Sequence, residues 1–523
     1  VPFDLGHSGG PLAEGAIPTL GNFASLRFVS SELALVLGLL LVLLWDIAAP
    51  RAVRQRGAIV LALASLTASG TAAALRLLRG ESSLALFNGL LASDRFAHVF
   101  RVLFAAVAAV TVLISLPEQR AVRGPAAHRG VAEYHVLLLA TTLGLDLMAM
   151  SHNLLTIYLS IELVSVMSFV LAAYKIGDRK SSEAGLKYVI FGGVASGIML
   201  YGMSWLFGLT GSLDLGVIHE KVLSLSAAQG RVPEALFVAV VCMLAGFGYK
   251  LSAVPFHMWT PDVYEGAPTP ITAFLSVGPK AAGFAVLLRF FAEALAARGS
   301  YAGVTATPWA FVGGLLAVGT MTLGNLSALG QSNVKRMLAY SSIAHAGYML
   351  LGFAVFNDEG TAAVLFYLST YCLMNLGAFL VVMAVAEKSG GDETLLAFRG
   401  LGTRAPLLAI VMAVFVFSLT GLPPFVGFVG KFYLFATLVR VGGPWSWFLA
   451  VAGVINGVVS LFYYARIVRE MYFSSASASA SASLRVRWAF AAGTVALAVP
   501  TVALGVYWAP AYDFVASAVL VVR

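Results

Sequence analysis

Apolar runs of about 20 residues recur along this chain, separated by short connections that hold most of its charge. About 20 residues of α-helix, each rising about 1.5 Å, cross the hydrocarbon core of a bilayer. The runs read at approximately 30–48, 57–78, 95–116, 132–150, 153–174, 184–208, 234–254, 270–295, 307–329, 336–355, 361–386, 406–437, 445–468 and 487–515, or about fourteen spans. Only 11% of the residues are charged and 59% are hydrophobic, whereas a soluble domain carries about 25% charged residues. The chain is therefore predicted to be an all-α polytopic membrane protein with about fourteen transmembrane helices. The stretch ahead of the first run lacks a basic segment or a clear cleavage site, so the first span is expected to act as the insertion signal.

Two of the runs are interrupted. In the stretch from Gly246 to Lys280, Pro255 follows Lys250 by five residues. Proline removes a backbone donor and clashes with the preceding turn, which predicts a break in the seventh helix near Val254–Pro255. The twelfth run carries Gly421-Leu422-Pro423-Pro424-Phe425, then Gly427, Gly430 and Lys431. These broken helices lie five spans apart. Five is odd, so a five-helix unit repeated in tandem enters the membrane upside down the second time. Helices four to eight and nine to thirteen are thus predicted to be two inverted five-helix repeats, with the discontinuous helices marking an ion site. The chain divides accordingly into 1–130 (three N-terminal helices and their loops), 131–300 (first unit), 301–470 (second, inverted unit) and 471–523 (a Ser/Ala linker and the last helix). The tract near 474–483 is low in complexity and is expected to carry no chemistry. Gly193 and Gly197 form a GxxxG, read as a close-packing device between helices.

Basic residues gather in cytoplasmic loops. Odd-numbered loops hold eighteen Lys and Arg, including Lys175, Arg179, Lys180, Lys335 and Arg336, whereas even-numbered loops and termini hold nine. Both termini are therefore expected on the outer, periplasmic side. The net charge of +8 is read as topology rather than as a nucleic-acid surface. Cys242 and Cys372 are the only cysteines and form no CxxC, which argues against a disulfide framework, a Cys₄ metal site or an iron–sulfur cluster on this chain.

A charge at the centre of a membrane helix costs roughly 3 kcal/mol on insertion scales, so each one asks for a reason. Glu162 lies about nine residues into the fifth span, near mid-membrane. It reads as a carboxylate that pairs with a lysine and tunes its proton affinity, against the alternative of a structural ion pair. Lys250 and Lys431 each sit beside a helix break, and Lys280 follows Pro279 in the next span. Lys187, a few residues inside the sixth helix, is open between a relay role and snorkelling to the surface. His257 at the first break is read as a proton carrier, against the alternative of a capping residue, and His345 in the tenth helix as a relay, against that of a satisfied core histidine, since imidazole titrates near neutral pH. Arg101 and Arg289 are expected to snorkel from helix ends, and Asp146 is expected at the outer interface.

The order of these motifs resembles a known family. Glu133-Tyr134, Asn153-Leu154, Tyr158 to Leu163, Glu183 to Tyr188, Lys250 to Pro270, Asn325 to Tyr348, and Gly421 to Phe425 with Lys431 look like the core of the antiporter-like membrane subunits of respiratory complex I. The likeness covers roughly 130–470. Lys431 stands where M-type members typically carry glutamate, and the long lateral helix of L-type members has no counterpart, so the chain most resembles the N type. That resemblance implies a proton-translocating subunit in a bacterial inner membrane. Its partners would be other membrane subunits, including neighbouring antiporter-like ones, and lipid. It would carry no redox cofactor itself, with NADH, FMN, iron–sulfur clusters and quinone on partner subunits. Glu162, Lys250, Lys280 and Lys431 would be its proton-path residues, with Lys187 as an addition. A cation/proton antiporter subunit or the membrane arm of a hydrogenase-type complex is the alternative, because they share the lysine–glutamate core.

The charge count carries its own test. A reporter active only in the cytoplasm is expected to stay silent when fused after Arg523 and to work when inserted within 175–183. Activity after Arg523 reverses the assignment.

Overall fold

The computed structural model describes residues 18–121, 130–295, 307–475 and 487–519. Among these residues thirteen helices are long and apolar enough to cross a membrane. In chain order the helices are α1 (Ser30–Ala48), α2 (Arg51–Arg79), α3 (Arg95–Ala121), α4 (Val131–Met150), α5 (Leu154–Ala172), α6 (Arg179–Thr210), α7 (Leu215–Gln229), α8 (Glu234–Leu251) and α9 (Trp259–Gly266). They continue as α10 (Thr269–Phe290), α11 (Thr307–Leu329), α12 (Val334–Val355), α13 (Asp358–Lys388), α14 (Pro406–Thr420), α15 (Val426–Val441), α16 (Gly443–Phe473), α17 (Trp488–Val506) and α18 (Ala509–Ala516). The predicted twelfth span is divided between α14 and α15. Counted as one crossing, it brings the thirteen to the expected fourteen. A small antiparallel hairpin, β1 (Leu84–Leu86) with β2 (Leu91–Ser93), joins α2 to α3 and has no counterpart in the helical reading of the sequence. Residues 476–483 of the Ser/Ala tract, and Arg123, Arg129, Arg298, Arg485 and Arg523 from the charge count, lie outside the described residues.

The helix starts follow from side chains that meet otherwise unpaired backbone donors. Asn153 accepts from Leu155 N (2.9 Å) before α5, and Asn333 accepts from Arg336 N (3.0 Å) before α12. The same two asparagines show the repeat. Asn153 forms an isolated antiparallel bridge with Asp214, just past α6, and Asn333 forms one with Thr394, past α13. The two bridges are five spans apart in the chain and so lie at opposite faces of the bundle. Both breaks also share a form. α8 ends in Ser252 at φ 61°, and α14 ends in Gly421 at φ 91°, each the left-handed residue that turns a helix off its axis.

α10 stands at the centre of the bundle. Every residue from Thr269 to Phe290 is buried, against α3, α4, α8 and α13 among others. A helix apolar on all sides has no solvent face to present, so this burial is what its composition demands. The GxxxG reading is corrected here. A Cβ at Gly193 or Gly197 would meet nothing within 4 Å, whereas one at Gly202 would lie 2.5 Å from Ala239 O. One residue turns a helix by about 100°, which carries Gly193 away from the contact made at Gly192, where a Cβ would lie 2.6 Å from the Phe169 ring. At the second break, a Cβ on Gly427 would fall 1.8 Å from Ser418 O. Gly427→Val is therefore expected to force α14 and α15 apart, costing about 1–3 kcal/mol or preventing assembly. Gly193→Ala, facing open space, should melt like the parent in a thermal unfolding assay, and equal behaviour of the two variants would refute the packing argument.

Candidate functional site

The intramembrane charges gather along the centre of the bundle. Lys250 on α8, Lys280 on α10, His345 on α12 and Lys431 on α15 are each at most 5% exposed. Lys250 Nζ donates to Ser165 Oγ at 3.0 Å, one turn along α5 from Glu162. Glu162 itself accepts from Ser196 Oγ on α6. Among the described residues no ion pair within 4 Å joins Glu162 to Lys250, so the two meet as neighbours rather than in contact. Gly283, one turn beyond Lys280, lets α10 close on α8: a Cβ there would lie 3.5 Å from Lys250 Cβ.

The row continues through hydroxyl groups. Lys280 Nζ donates to Ser342 Oγ, which is also 3.4 Å from the Tyr264 hydroxyl. The adjacent Ser341 bonds the Tyr464 hydroxyl, and Tyr464 lies 3.2 Å from His345 Nε2. His345 Nδ1 is 2.7 Å from the Tyr367 hydroxyl. Its ring packs near Tyr348, over whose face the Lys431 ammonium sits 4.3 Å from the centroid. Lys431 Nζ also donates to Leu419 O (3.0 Å) and Thr420 O (2.8 Å), the free carbonyls at the end of α14. Serines and tyrosines can both give and accept a proton, so this row is built from groups able to pass one along. None of these hydroxyls stood out in the sequence, where they are ordinary residues of apolar runs. The spacing of Glu162 to Ser165 on one face of α5 was the one readable signal.

Two of the expected residues stand apart from the row. His257, 7% exposed at the first break, has an Nδ1 without a protein partner. Lys187 lies in a partly exposed ion cluster, 2.6 Å from both Glu183 and Asp262. Asp262 and Glu265 on α9 also take Arg336 at 2.6 and 3.1 Å, and Glu265 takes Lys180 at 2.9 Å. Burial would raise the Asp262 pKa, but the hydrogen bonds from Lys187 and Arg336 outweigh it and hold the carboxyl below its usual range. Lys335, counted above as a loop charge, is buried and donates to Ala267 O (2.9 Å), Thr269 Oγ1 and Glu393. α9 is thus pinned to α6 and α12 by charge.

At the opposite face, the expectation that Arg101 and Arg289 snorkel is corrected. Both are buried, 0% and 1% exposed. Arg101 pairs with Glu32 at 2.7 Å, and Arg289 pairs with Asp94 at 2.8 Å and with Glu293 at 2.7 Å. Carboxylates on α1, just before α3 and one turn beyond Arg289 reach them, so neither has to stretch to water. Asp146, expected at the interface, is 0% exposed. His152, between α4 and α5, closes the set on Glu293 at 2.6 Å.

Residues 151–460, which contain all seven predicted site residues, match the family described as NADH:quinone oxidoreductase/Mrp antiporter, TM. A curated relative in Sorangium cellulosum (strain So ce56), NADH-quinone oxidoreductase subunit N 2, is 60% identical over 97% of this chain and 99% of its own length. The chain belongs to the subunit N family of NADH-quinone oxidoreductase. Among solved structures, a chain of respiratory complex I from Thermus thermophilus with bound aureothin superposes with a TM-score of 0.73 at 32% identity, covering 92% of this chain and 98% of that one. A chain of the Mrp complex from Dietzia sp. DQ12-45-1b has a TM-score of 0.79 at 20% identity, over 94% of this chain and 97% of that one, a likeness of fold alone. The match to that antiporter family begins at residue 151, so α1 to α4, with Glu32, Asp94 and Arg101, lie ahead of it, whereas His152, Arg289 and Glu293 fall within it.

His152 makes this arginine cluster testable by pH. Burial disfavours its charged form, but the Glu293 charge and hydrogen bond outweigh that and raise its pKa above the ordinary 6.5; Asp214 adds to the rise and Arg289 opposes it. A raised folded pKa gives stabilisation that is complete below 6.5 and is lost as pH climbs through the folded value. The unfolding temperature is expected to fall as pH rises above 6.5, and His152→Gln should flatten that fall. An unchanged slope in the variant would remove the pair from the linkage.

Proposed function

We propose that this chain is a proton-translocating membrane subunit of an NADH-quinone oxidoreductase, driven by quinone reduction elsewhere in the assembly. One observation carries the reading: three lysines and a histidine are nearly excluded from solvent, with serine hydroxyls on Lys250 and Lys280, tyrosine hydroxyls on His345 and a tyrosine ring beside Lys431. Glu162, Lys250, Lys280, His345 and Lys431 are the carriers in this scheme, with His257 at the first break. Lys187 serves at the partly exposed end of the path, beside Asp262. A buried ammonium is disfavoured by desolvation and favoured by a nearby carboxylate, so a lysine held between the two can change protonation as its partner moves. NADH, FMN, iron–sulfur clusters and quinone would sit on partner subunits, and neighbouring antiporter-like subunits would pack beside this one in the bacterial inner membrane.

Lys250 separates titration from mere charge. Arginine keeps the charge but does not release its proton, whereas methionine removes the charge and keeps much of the stem. If Lys250 carries protons, Lys250→Met and Lys250→Arg both assemble, and both lower proton uptake per NADH oxidised in sealed vesicles. Full stoichiometry in Lys250→Arg would reduce Lys250 to a fixed counter-ion. Glu162→Gln is expected to leave the amount of assembled complex unchanged and to weaken pumping. Wild-type pumping at normal protein levels would take Glu162 out of the mechanism. A sodium gradient formed in place of a proton gradient would instead favour the cation-antiporter alternative.

A further inference from the structure

The last turn of α4 holds a carboxylate that the rest of the molecule does not account for. Asp146 is 0% exposed, and neither carboxylate oxygen has a protein hydrogen-bond partner. Two arginines flank the same turn. Arg289 Nε donates to Ala149 O at 3.0 Å, and Arg101 Nη2 lies 2.6 Å from Met150 Sδ. Three and four residues along a helix bring these contacts back to the face of Asp146. Yet neither guanidinium turns to it, because each is already engaged by other carboxylates: Arg101 by Glu32, and Arg289 by Asp94 and Glu293.

Counting charges isolates it further. Arg101 Nη1 lies 2.9 Å from His98 Nδ1; a guanidinium can only donate, so that nitrogen accepts and His98 is the neutral tautomer with its proton on Nε2, 3.4 Å from Ser93 Oγ. Arg101 then balances Glu32, Arg289 balances Asp94, protonated His152 balances Glu293, and Arg76 pairs with Glu81 at 2.5 Å. Asp146 and Arg95 are left over, and Arg95, at the start of α3, lies over the Phe514 ring, 5.7 Å from its centroid. An ionised carboxylate without hydrogen bonds or a counter-ion is too costly to bury, whereas the neutral acid is tolerated.

We propose that Asp146 is a buried proton-binding site, separate from the central lysine row, and that it holds its proton because Glu32 outcompetes it for Arg101. Loss of the proton makes Asp146 a rival for that guanidinium. The pair Glu32–Arg101 and the acid Asp146 thus form a two-position switch between α1, α3 and α4. Asp146 keeps its proton while Glu32 holds the arginine, and on losing that proton it would displace Glu32 from the guanidinium.

The test is infrared spectroscopy of the purified, assembled complex, comparing parent with variants in the carbonyl region of protonated carboxylic acids. Parent minus Asp146→Asn is expected to show one acid band that shifts in D₂O, and Asp146→Glu should move that band without removing it. Glu32→Gln frees Arg101, so Asp146 should ionise and the same band should vanish although Asp146 is intact. A parent-minus-Asp146→Asn difference containing only carboxylate bands would overturn the site. Persistence of the band in Glu32→Gln would overturn the competition. Asparagine matches the neutral acid in shape, so failure of Asp146→Asn to assemble would show that the position needs a charge, and that result also defeats the proposal.

Discussion

A helix that stops inside a bilayer leaves carbonyls with no donor of their own, and hydrocarbon offers none. This constraint shapes both breaks. At the first, the Trp259 indole reaches back from α9 to Tyr249 O at 3.1 Å. At the second, the partner of the loose carbonyls is Lys431 itself, held between Leu419 O and Thr420 O. The ammonium is thereby hydrogen-bonded where a bare charge would be expelled, and the negative end of the α14 dipole faces it. Structural need and chemical group coincide at that position. At the first break they are divided, since Trp259 caps the helix and leaves Lys250 to a single serine.

That difference separates two ways of burying charge in this chain. Around α9, and around Arg101 and Arg289, cations meet carboxylates directly at 2.6–3.1 Å. Such contacts hold helices in place. Along the centre, the lysines meet hydroxyls, carbonyls and a tyrosine face instead. Weaker partners compensate desolvation only in part, the condition that the proposed proton carriers would need. The tyrosines and serines around His345 supply the intervening donors and acceptors, and their burial among close-packed helices keeps them in register.

The two five-helix units share their framework and differ in their chemistry. Asn153 and Asn333 cap equivalent helices and bridge to the ends of equivalent neighbours, and both breaks turn through a left-handed residue. Lys250 precedes its break and Lys431 follows its own. Each lysine nonetheless ends close to the loose end of a half-helix, because α15 folds back until a Cβ on Gly421 would touch Lys431 Cδ at 2.9 Å. The pairing of a buried lysine with each break survives although the sequence order is reversed.

Hydrophobic length and proline position are local properties, and they alone determined the number of crossings, the two broken helices and the odd spacing that inverts the repeat. The rarity of charge in apolar runs likewise marked Glu162, Lys250, Lys280, His345 and Lys431 one by one. What each of those groups touches is a relation between helices far apart in the chain, and only the tertiary structure decided it. Ser165, Ser342, Tyr348 and Tyr464 look like any other small or aromatic residue until packing turns them toward a lysine or a histidine. Arg101, Arg289 and Asp146 were misplaced at the surface for the same reason. A position near a helix end suggests access to water, but α1, α3, α4 and α10 close over these side chains and replace water with the carboxylates of Glu32, Asp94 and Glu293, and in the case of Asp146 with none.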